Sequence, residues 1–336
     1  MNGLRTRVGN LLFHLEDRLG AFRLEPGADP PPLAVLMFHG LSNDAARIAA
    51  TRGMDIRPTD CLRQIRFFTR QGYRPVLPRQ LDDTNSLPPA PGYLLITFDD
   101  AYMETFGYLR AWMTEYDLPF LLAVCPGIAE TDRIYWWEEL WARFDRLPEP
   151  LVWESPDGSN ESFRRDECDR AEAMCRALSA RELDTFLNAL REATSATTTS
   201  SLRASPFVHA TMRWKQIAEL SKHPRCQLAA HSTWHQVSTT MSQQDLARDS
   251  DSCRTSIESR CQEACTEYVY PNGIRSDATD STLRSMGYLR SYITDPGVNR
   301  TTHRAALHRI HGDGLAGHLR GFGGRWRRWH RPPGST

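Results

Sequence analysis

The chain has 336 residues, and 40% of them are hydrophobic, enough for one large α/β domain or two ordinary ones. The 41 basic residues are balanced by 41 acidic residues. This balance argues against a nucleic-acid-binding protein, which would show a strong basic field.

The cysteines and the termini bear on the cellular compartment. Eight cysteines are scattered without a C-x-x-C pair, which predicts ordinary thiols in a reducing compartment and not a disulfide framework or a zinc ribbon. The N-terminus lacks the continuous apolar stretch of a signal peptide, and no run approaches the roughly 18 apolar residues of a membrane span. We therefore expect a cytoplasmic protein, in contact with the inner membrane face if it touches a membrane.

Taken in chain order, residues 1–32 form an N-terminal segment with apolar residues at helical spacing followed by a proline-rich break. The run 33–38 is then a strong candidate for a buried strand, and it ends at His39. A helix is predicted from about residue 59, with an apolar face that points to the core.

The stretch 93–100 contains a second strand that leads directly into Asp99 and Asp100. Burying an unpaired carboxylate costs free energy, so two acids at the end of a buried strand require an explanation. A metal site explains them, and so does a carboxylate pair with divided roles. A pair that only caps the following helix is the simpler alternative.

Residues 127–210 interrupt the pattern of alternating strands and helices, and we interpret them as an inserted helical subdomain. The alternation resumes after residue 211, which indicates parallel βα units. The predicted domains are therefore the segment 1–32, an α/β domain over 33–312 that contains the insertion, and a basic tail over 313–336. The part of the tail between Arg320 and Arg331 contains five arginines and two tryptophans, a composition that suits an anionic membrane surface.

His231 and His235 follow a short apolar run and are four residues apart. An H-x-x-x-H pair alone is a weak signal, since a chance or surface pair is the better explanation for it. Combined with a strand-terminal aspartate, it gives two nitrogens and one oxygen and leaves coordination positions open. That number of ligands is typical of a catalytic zinc or a similar divalent metal.

Three motifs in this order resemble the polysaccharide deacetylases, the family with the NodB homology domain that is also called carbohydrate esterase family 4. The motifs are Thr97-Phe98-Asp99-Asp100-Ala101, His231-Ser232-Thr233-Trp234-His235 and Tyr270-Pro271-Asn272-Gly273. The resemblance covers about residues 33–126 and 211–310. It implies a distorted (β/α) barrel, in which active sites lie at the carboxyl ends of the strands.

The resemblance also implies a role for each residue. Asp99 would be the general base, and Asp100, His231 and His235 would bind a divalent metal, with zinc as the first choice. The loop of Pro271, Asn272 and Gly273 would offer a backbone N–H to the oxyanion. For the acid that protonates the departing amine we choose His39, with His311 as the second choice.

The sequence departs from the family pattern at Ala101, where relatives have glycine, and at Asn272, where they have an aromatic residue. Val269 stands where many relatives have an arginine that contacts the catalytic base, and Arg309 is a candidate for a supporting role at a strand end.

The expected function is metal-dependent removal of an N-acetyl group from an N-acetylated sugar, polysaccharide or glycolipid precursor, with acetate as the product. The alternatives are hydrolysis of a non-sugar amide and a non-catalytic carbohydrate-binding relative. The tryptophans Trp136, Trp137 and Trp141 would either stack on a sugar or anchor the insertion to the barrel. The sequence leaves the oligomeric state open.

Overall fold

The computed structural model describes residues 20–82, 87–131, 133–155, 158–300 and 306–312, together with Trp326 and His330. The predicted N-terminal helix and most of the predicted basic tail lie outside these residues. No helix in the described parts of the chain combines the length and the apolar character that crossing a bilayer requires. All eight cysteines are free thiols, seven of them buried.

Ten strands build the central sheet, and all strands are numbered in chain order, including the two short pairs described below: β1 Leu33–Phe38, β4 Tyr73–Pro75, β5 Gly92–Phe98, β6 Phe120–Val124, β9 Cys226–Ala230, β10 Glu267–Val269, β11 Arg290–Ile293, β12 Val298–Asn299, β13 Ala306–His308 and β14 Ile310–His311.

The helices are α1 Ala45–Ala50, α2 Pro58–Arg70, α3 Met103–Tyr116, α4 Pro126–Glu130, α5 Trp136–Phe144, α6 Cys168–Cys175, α7 Ala180–Ala193, α8 Thr199–Arg203, α9 Trp214–Ser221, α10 Gln243–Cys261 and α11 Asp277–Ser285. Two short pairs complete the strands: β2 Gly40–Leu41 lies parallel to β3 Asp55–Ile56, and β7 Leu151–Glu154 lies antiparallel to β8 Asn160–Phe163.

The sheet curls into a nearly closed barrel of parallel strands. Its order is β1, β5, β6, β9, β10, β11 and β13, with β12 added antiparallel to β1. The ring closes because the last strand is divided at Arg309: β13 pairs with β11, and β14 pairs with β1. The prediction of a distorted (β/α) barrel is confirmed.

Alternation along the strands decides which side chains face the barrel interior. Leu33, Val35 and Leu95 belong to a compact cluster inside the barrel. Their neighbours Leu36 and Ile96 belong to the larger core outside the ring, which includes apolar side chains of the surrounding helices. The buried strands are therefore continuous apolar runs in the sequence, which is typical of parallel sheets covered on both faces.

The insertion has a core of its own, built around Trp137, Phe144, Phe163 and Phe186. It is not wholly helical. The β7–β8 hairpin lies within the residues that the sequence predicts to form a helical subdomain. Its side chains alternate between buried and exposed, as in Leu151–Glu154, so the local period is that of a strand.

Of the tail, the structure describes Trp326 and His330. The Trp326 ring is 3% exposed and packs edge-on against Phe22 and Phe67. His330 lies 2.5 Å from the Tyr73 hydroxyl through Nε2. These two tail residues thus contact the barrel wall.

Candidate active site

The inward alternation that fills the barrel continues past the strand ends and builds the site. Leu95, Thr97 and Asp99 lie on one face of the chain, as do Ala229 and His231. Because all these strands are parallel, their carboxyl ends meet at one end of the barrel. A cleft of about 510 Å³ opens there.

Asp100, His231 and His235 come together at the bottom of this cleft, as the sequence predicts. One ligand atom of each lies within 4.8 Å of those of the other two. The Nε2 atoms of His231 and His235 are each 3.6 Å from Asp100 Oδ1. All three residues are at most 4% exposed.

The polar atoms of this cluster fit a divalent cation. Both carboxylate oxygens of Asp100 are buried without a hydrogen-bond partner among the described residues, an arrangement that is costly unless a cation binds them. His231 Nδ1 lies 2.7 Å from the Val269 carbonyl, to which it donates, so Nε2 keeps its lone pair for a metal. We therefore judge that Asp100, His231 and His235 would hold such a metal.

Electrostatics agree with this fit. Burial, followed by the charges of Asp99 and Glu138, raises the pKa of Asp100 well above its usual range. Burial lowers the pKa of both His231 and His235, so both imidazoles are neutral. Neutral imidazoles are the form that binds metal, and a bound cation would reverse the cost of ionising Asp100.

A left-handed turn brings Asp100 next to Asp99. Asp100 has φ 67° and Ala101 has φ 50°. Glycine adopts such positive φ angles without strain, whereas the alanine at position 101 costs about 1 kcal/mol of conformational free energy. The turn is tied to the end of the insertion, because Met212 N–H donates to the Ala101 carbonyl and Met103 N–H to the Ala210 carbonyl, each at 2.8 Å.

Asp99 is held by Arg309. Arg309 Nη1 lies 2.8 Å from both carboxylate oxygens, and its Nε donates to the Ile293 carbonyl at 3.1 Å. Burial raises the pKa of Asp99. The positive charge of Arg309, followed by His231 and His39, lowers it by more, so the pKa is below its usual value. Arg309 thus supplies the contact that the valine at 269 cannot make.

The sequence had indicated Arg309 only as a supporting residue at a strand end. Its direct contact with Asp99 depends on the division between β13 and β14, which turns the inward position 309 towards β5. Arg309 is 1% exposed. A buried arginine needs a carboxylate partner. An arginine within the apolar last strand was therefore the signal by which the sequence could have indicated a contact with an aspartate.

His39 also lies in the cleft, with Nε2 3.8 Å from Asp99 Oδ2. Burial lowers the pKa of His39 to about 3, partly countered by the charge of Asp99. His311 stacks on His39 with ring centroids 5.7 Å apart. The structure therefore brings both candidate histidines to the cleft, and His39 is the one that approaches Asp99.

The loop of Pro271, Asn272 and Gly273 forms a single short turn after β10, and Asn272 lines the cleft. Asn272 has φ 55°, and Gly273 has φ 69°. A Cβ atom on Gly273 would lie 2.2 Å from Thr294 Oγ1, so only glycine fits there.

The insertion forms one wall of the cleft. Trp137 packs on His235 with ring centroids 4.3 Å apart and is 5% exposed, and Trp141 donates from Nε1 to Glu172 at 2.7 Å. Trp137 thus connects the insertion to the barrel, and the bond of Trp141 lies within the insertion. Trp136 is half-buried and also lines the cleft. Tyr135, which the sequence did not single out, donates its hydroxyl to the Asp100 carbonyl at 2.8 Å.

A second buried cluster lies next to this site and was also missed from sequence. His209 Nδ1 is 2.6 Å from Glu138 Oε1, and His209 Nε2 is 3.1 Å from both oxygens of Asp55. Its ring stacks on Tyr102 at 3.9 Å. The cluster joins the insertion to the β3 segment. Its three residues are far apart in the sequence, so no motif predicts it.

Comparison with known proteins supports the likeness that the motifs suggest. The family model described as polysaccharide deacetylase matches residues 176–290, which include His231, His235 and the 270–273 loop. The resemblance to the polysaccharide deacetylases is confirmed. Members of that family are carbohydrate de-N-acetylases, hydrolases of carbon–nitrogen bonds other than peptide bonds. A search of curated proteins gives no match.

Solved structures share the fold at low sequence identity. Streptococcus pyogenes deacetylase PplD, in complex with acetate, is 14% identical at a TM-score of 0.54, covering 88% of this chain and 100% of its own. IcaB from Ammonifex degensii is 15% identical at a TM-score of 0.52, and the match covers 86% of this chain and 96% of IcaB. A de-N-acetylase from Aggregatibacter actinomycetemcomitans is 14% identical at a TM-score of 0.51, and the match covers 83% of this chain and 94% of that chain. At these identities the likeness shows the fold.

Proposed function

We propose that the protein is a metal-dependent N-deacetylase that hydrolyses the acetamide of an N-acetylated glycan and releases acetate. One observation carries the proposal: a buried aspartate with two unpaired oxygens lies between two neutral histidines, and a second aspartate, held ionised by an arginine, stands beside it. A non-catalytic binding protein would not need an ionised carboxylate at this position.

Asp99 is the proposed general base. Its lowered pKa keeps it ionised near neutral pH, and Arg309 fixes both of its oxygens, so it can take a proton from an attacking water. The divalent ion, with zinc as our first choice, would supply Lewis acidity toward the acetamide carbonyl when bound by Asp100, His231 and His235.

His39 is the proposed donor of the proton to the departing amine. Its low pKa makes it neutral in the resting protein, so it must acquire this proton during the reaction. Asp99, whose Oδ2 is 3.8 Å away, is the nearest source after it has taken a proton from water. The N–H groups of the 271–273 loop are the proposed partners of the oxyanion.

Metal content and acetate release test this proposal together. We expect about one equivalent of zinc or another divalent ion in the wild type and its loss in His231→Ala. Acetate release from N-acetylated sugars should fall by about 10²–10⁴-fold in Asp99→Asn, with the metal retained. A wild type that binds no metal even after incubation with zinc would refute the proposal.

For location we propose the cytoplasm, with peripheral contact to the inner membrane face through the Arg320–Arg331 segment. The support is compositional, because that segment is rich in arginine. Co-sedimentation with anionic and with neutral lipid vesicles tests it. Equal, weak binding to both kinds of vesicle would refute it.

A further inference from the structure

Two arginines that the proposed reaction does not use line one wall of the catalytic cleft. Arg52 belongs to the turn between α1 and β3, and Arg176 follows directly after α6 of the insertion. Both line the cleft together with Glu172 and Trp141. The barrel and the insertion thus each bring one positive charge to the same wall, and these charges need an explanation of their own.

The two guanidinium groups converge on Glu172. Arg176 Nη2 donates to Glu172 Oε1, and Arg52 Nη1 lies 3.3 Å from Glu172 Oε2. Trp141 Nε1 donates to the same Oε2 atom at 2.7 Å. Glu172 is 8% exposed, whereas the side chains of Arg52 and Arg176 are 37% and 45% exposed. The carboxylate is therefore buried behind the arginines, and part of each arginine side chain remains accessible to a ligand.

Glu172 neutralises only one of the two positive charges. Arg52 also contacts Asp169, but the Asp169 side chain is 87% exposed and does not line the cleft. Water and salt screen such an exposed pair, so Asp169 offsets little of the positive charge. The ion pair of Arg309 and Asp99, elsewhere in the cleft, is neutral in itself. The wall at the two arginines thus has an excess of positive charge, which favours an anionic ligand group.

The turn that carries Arg52 is fixed by Asp55, a member of the second buried cluster. Thr51 Oγ1 donates to Asp55 Oδ2 at 3.2 Å, and Met54 N–H donates to the Thr51 carbonyl at 2.9 Å. Arg52 has φ 53°, a left-handed conformation that few residues other than glycine adopt. Its guanidinium lies over the Trp141 ring, 5.1 Å from the centroid. An arginine held in this way loses little conformational freedom when it binds a ligand.

The arginine pair lies close to the proposed metal site. Trp137 packs on His235, and Trp141 lies one turn further along α5. Because Arg52 contacts the Trp141 ring, the pair is about one helical turn, roughly 5 Å, further along the wall than the ring that packs on His235. A sugar with its acetamide at the metal site can therefore reach the pair with a charged substituent.

We propose that Arg52 and Arg176 bind a phosphate group carried by the N-acetylated sugar. The inference rests on the proposed function and makes it more specific, since the substrate is then a phosphorylated sugar and not a neutral one. Guanidinium groups bind phosphate oxygens through paired, charge-assisted hydrogen bonds, and two neighbouring guanidinium groups can serve different oxygens of one phosphate. If the pair only fastened the insertion to the barrel, its loss would lower stability without changing the preference among substrates.

The first test compares acetate release from N-acetylglucosamine with release from its 1-phosphate and its 6-phosphate. For the wild type we expect kcat/KM to be at least about tenfold higher for one of the phosphorylated sugars than for the neutral sugar. Arg52→Met and Arg176→Met, made separately, should each remove most of this preference, and Arg176→Lys should retain part of it because the charge remains. Arg170→Met removes a positive charge from α6 outside the cleft and should leave the preference unchanged.

The source of the phosphate is tested with uridine diphosphate N-acetylglucosamine, in which the phosphate at C1 is linked to a further group. A preference for this diester that depends on Arg176 would indicate a phosphate that joins the sugar to a nucleotide or a lipid. A preference for a monoester alone would indicate a free sugar phosphate. Either result supports the phosphate site.

A binding measurement separates the inference from the proposed chemistry. Calorimetric titration of Asp99→Asn with the preferred phosphorylated sugar should show binding that the additional change Arg176→Met weakens about tenfold. Both proteins have the same proposed metal ligands, so a contact between phosphate and metal would not produce this difference.

Three results would overturn the inference: equal kcat/KM for neutral and phosphorylated sugars, a preference that survives both arginine substitutions, or binding that is absent or equal in the two variants of the titration. Absence of acetate release from every substrate, with arginine-dependent binding intact, would overturn the proposed reaction instead and leave the cleft as a binding site for sugar phosphates.

Discussion

Two buried clusters of histidine and carboxylate stand close together in this protein, and they differ in how their polar atoms are satisfied. In the cluster of Asp55, Glu138 and His209, both ring nitrogens have carboxylate partners within 3.1 Å. In the cluster of Asp100, His231 and His235, the nitrogens are 3.6 Å from an aspartate whose oxygens have no described hydrogen-bond partner.

The difference is one of charge state as well as distance. Burial lowers the pKa of His209, but the hydrogen bonds that its ring donates to Asp55 and Glu138 outweigh burial and raise this pKa to about 9, so His209 is cationic and its cluster is an ion network. In the other cluster the histidines are neutral and the carboxyl group is hard to ionise. A saturated cluster holds elements together, whereas an unsaturated one is open to an external ion.

The largest effect is expected from Asp100→Asn. This change should abolish metal binding and reduce kcat/KM by at least about 10³-fold, because an amide oxygen is a poor replacement for a carboxylate ligand. Metal analysis and acetate release measure it. Asp251→Asn, at an exposed position on α10, is the control. A variant that retains its metal and activity would place the metal site elsewhere.

His209→Ala tests the saturated cluster. We expect a loss of about 3–5 kcal/mol in the free energy of unfolding, because Asp55 and Glu138 would be left buried without their cationic partner. Urea unfolding measures this loss, with His223→Ala at a partly exposed position as the control. A loss below about 1 kcal/mol would mean that the network contributes little to stability.

Arg309→Met should shift the pH profile. As the proposed base, Asp99 must be ionised to act, so we expect activity to be lost as the pH falls through its pKa. Without Arg309 that pKa rises, and the acid limb of kcat/KM should move up by about one to three pH units.

The control for this shift is Arg290→Met. Arg290 is paired with buried Glu267 at 2.8 Å, and neither residue lines the catalytic cleft. Its replacement should destabilise the protein without moving the acid limb. An unshifted limb in Arg309→Met would show that Asp99 is not the base.

The smallest expected effect is a change in the stability of the metal-free protein near pH 8. It is also the sharpest test of the difference between the two clusters. Asp100→Asn should raise the free energy of unfolding by about 1–2 kcal/mol, since it removes a buried carboxyl group that is costly to ionise. Asp55→Asn should lower it. Added zinc should stabilise the wild type but not Asp100→Asn. If both substitutions destabilise the metal-free protein equally, the two clusters do not differ as described.

Much of the site could be predicted because its residues are adjacent to strong strands. The apolar run before Asp99 and the run before His231 fix both the element and the inward direction of these side chains. The alternation of such strands with helices predicted parallel βα units, and the motifs gave the resemblance to the polysaccharide deacetylases, which implied the barrel.

Other features depend on tertiary packing that leaves no local trace. Nothing around Arg309 signals that the last strand changes partners at that residue. The triad around His209 joins positions 55, 138 and 209, which are far apart in the sequence. Thr194–Ser201 has the composition of a linker, yet the Thr194 side chain is buried and accepts from Arg143 Nη1 at 2.8 Å.

The division of the last strand at Arg309 has a consequence for synthesis. When residues up to about 300 have left the ribosome, both aspartates and both histidines of the proposed metal site have been made. Arg309, which holds the proposed base Asp99, and the strand that closes the ring have not. We therefore expect the growing chain to be inactive until the end of the barrel has emerged, and proteins truncated before residue 309 should be inactive even when they retain every motif.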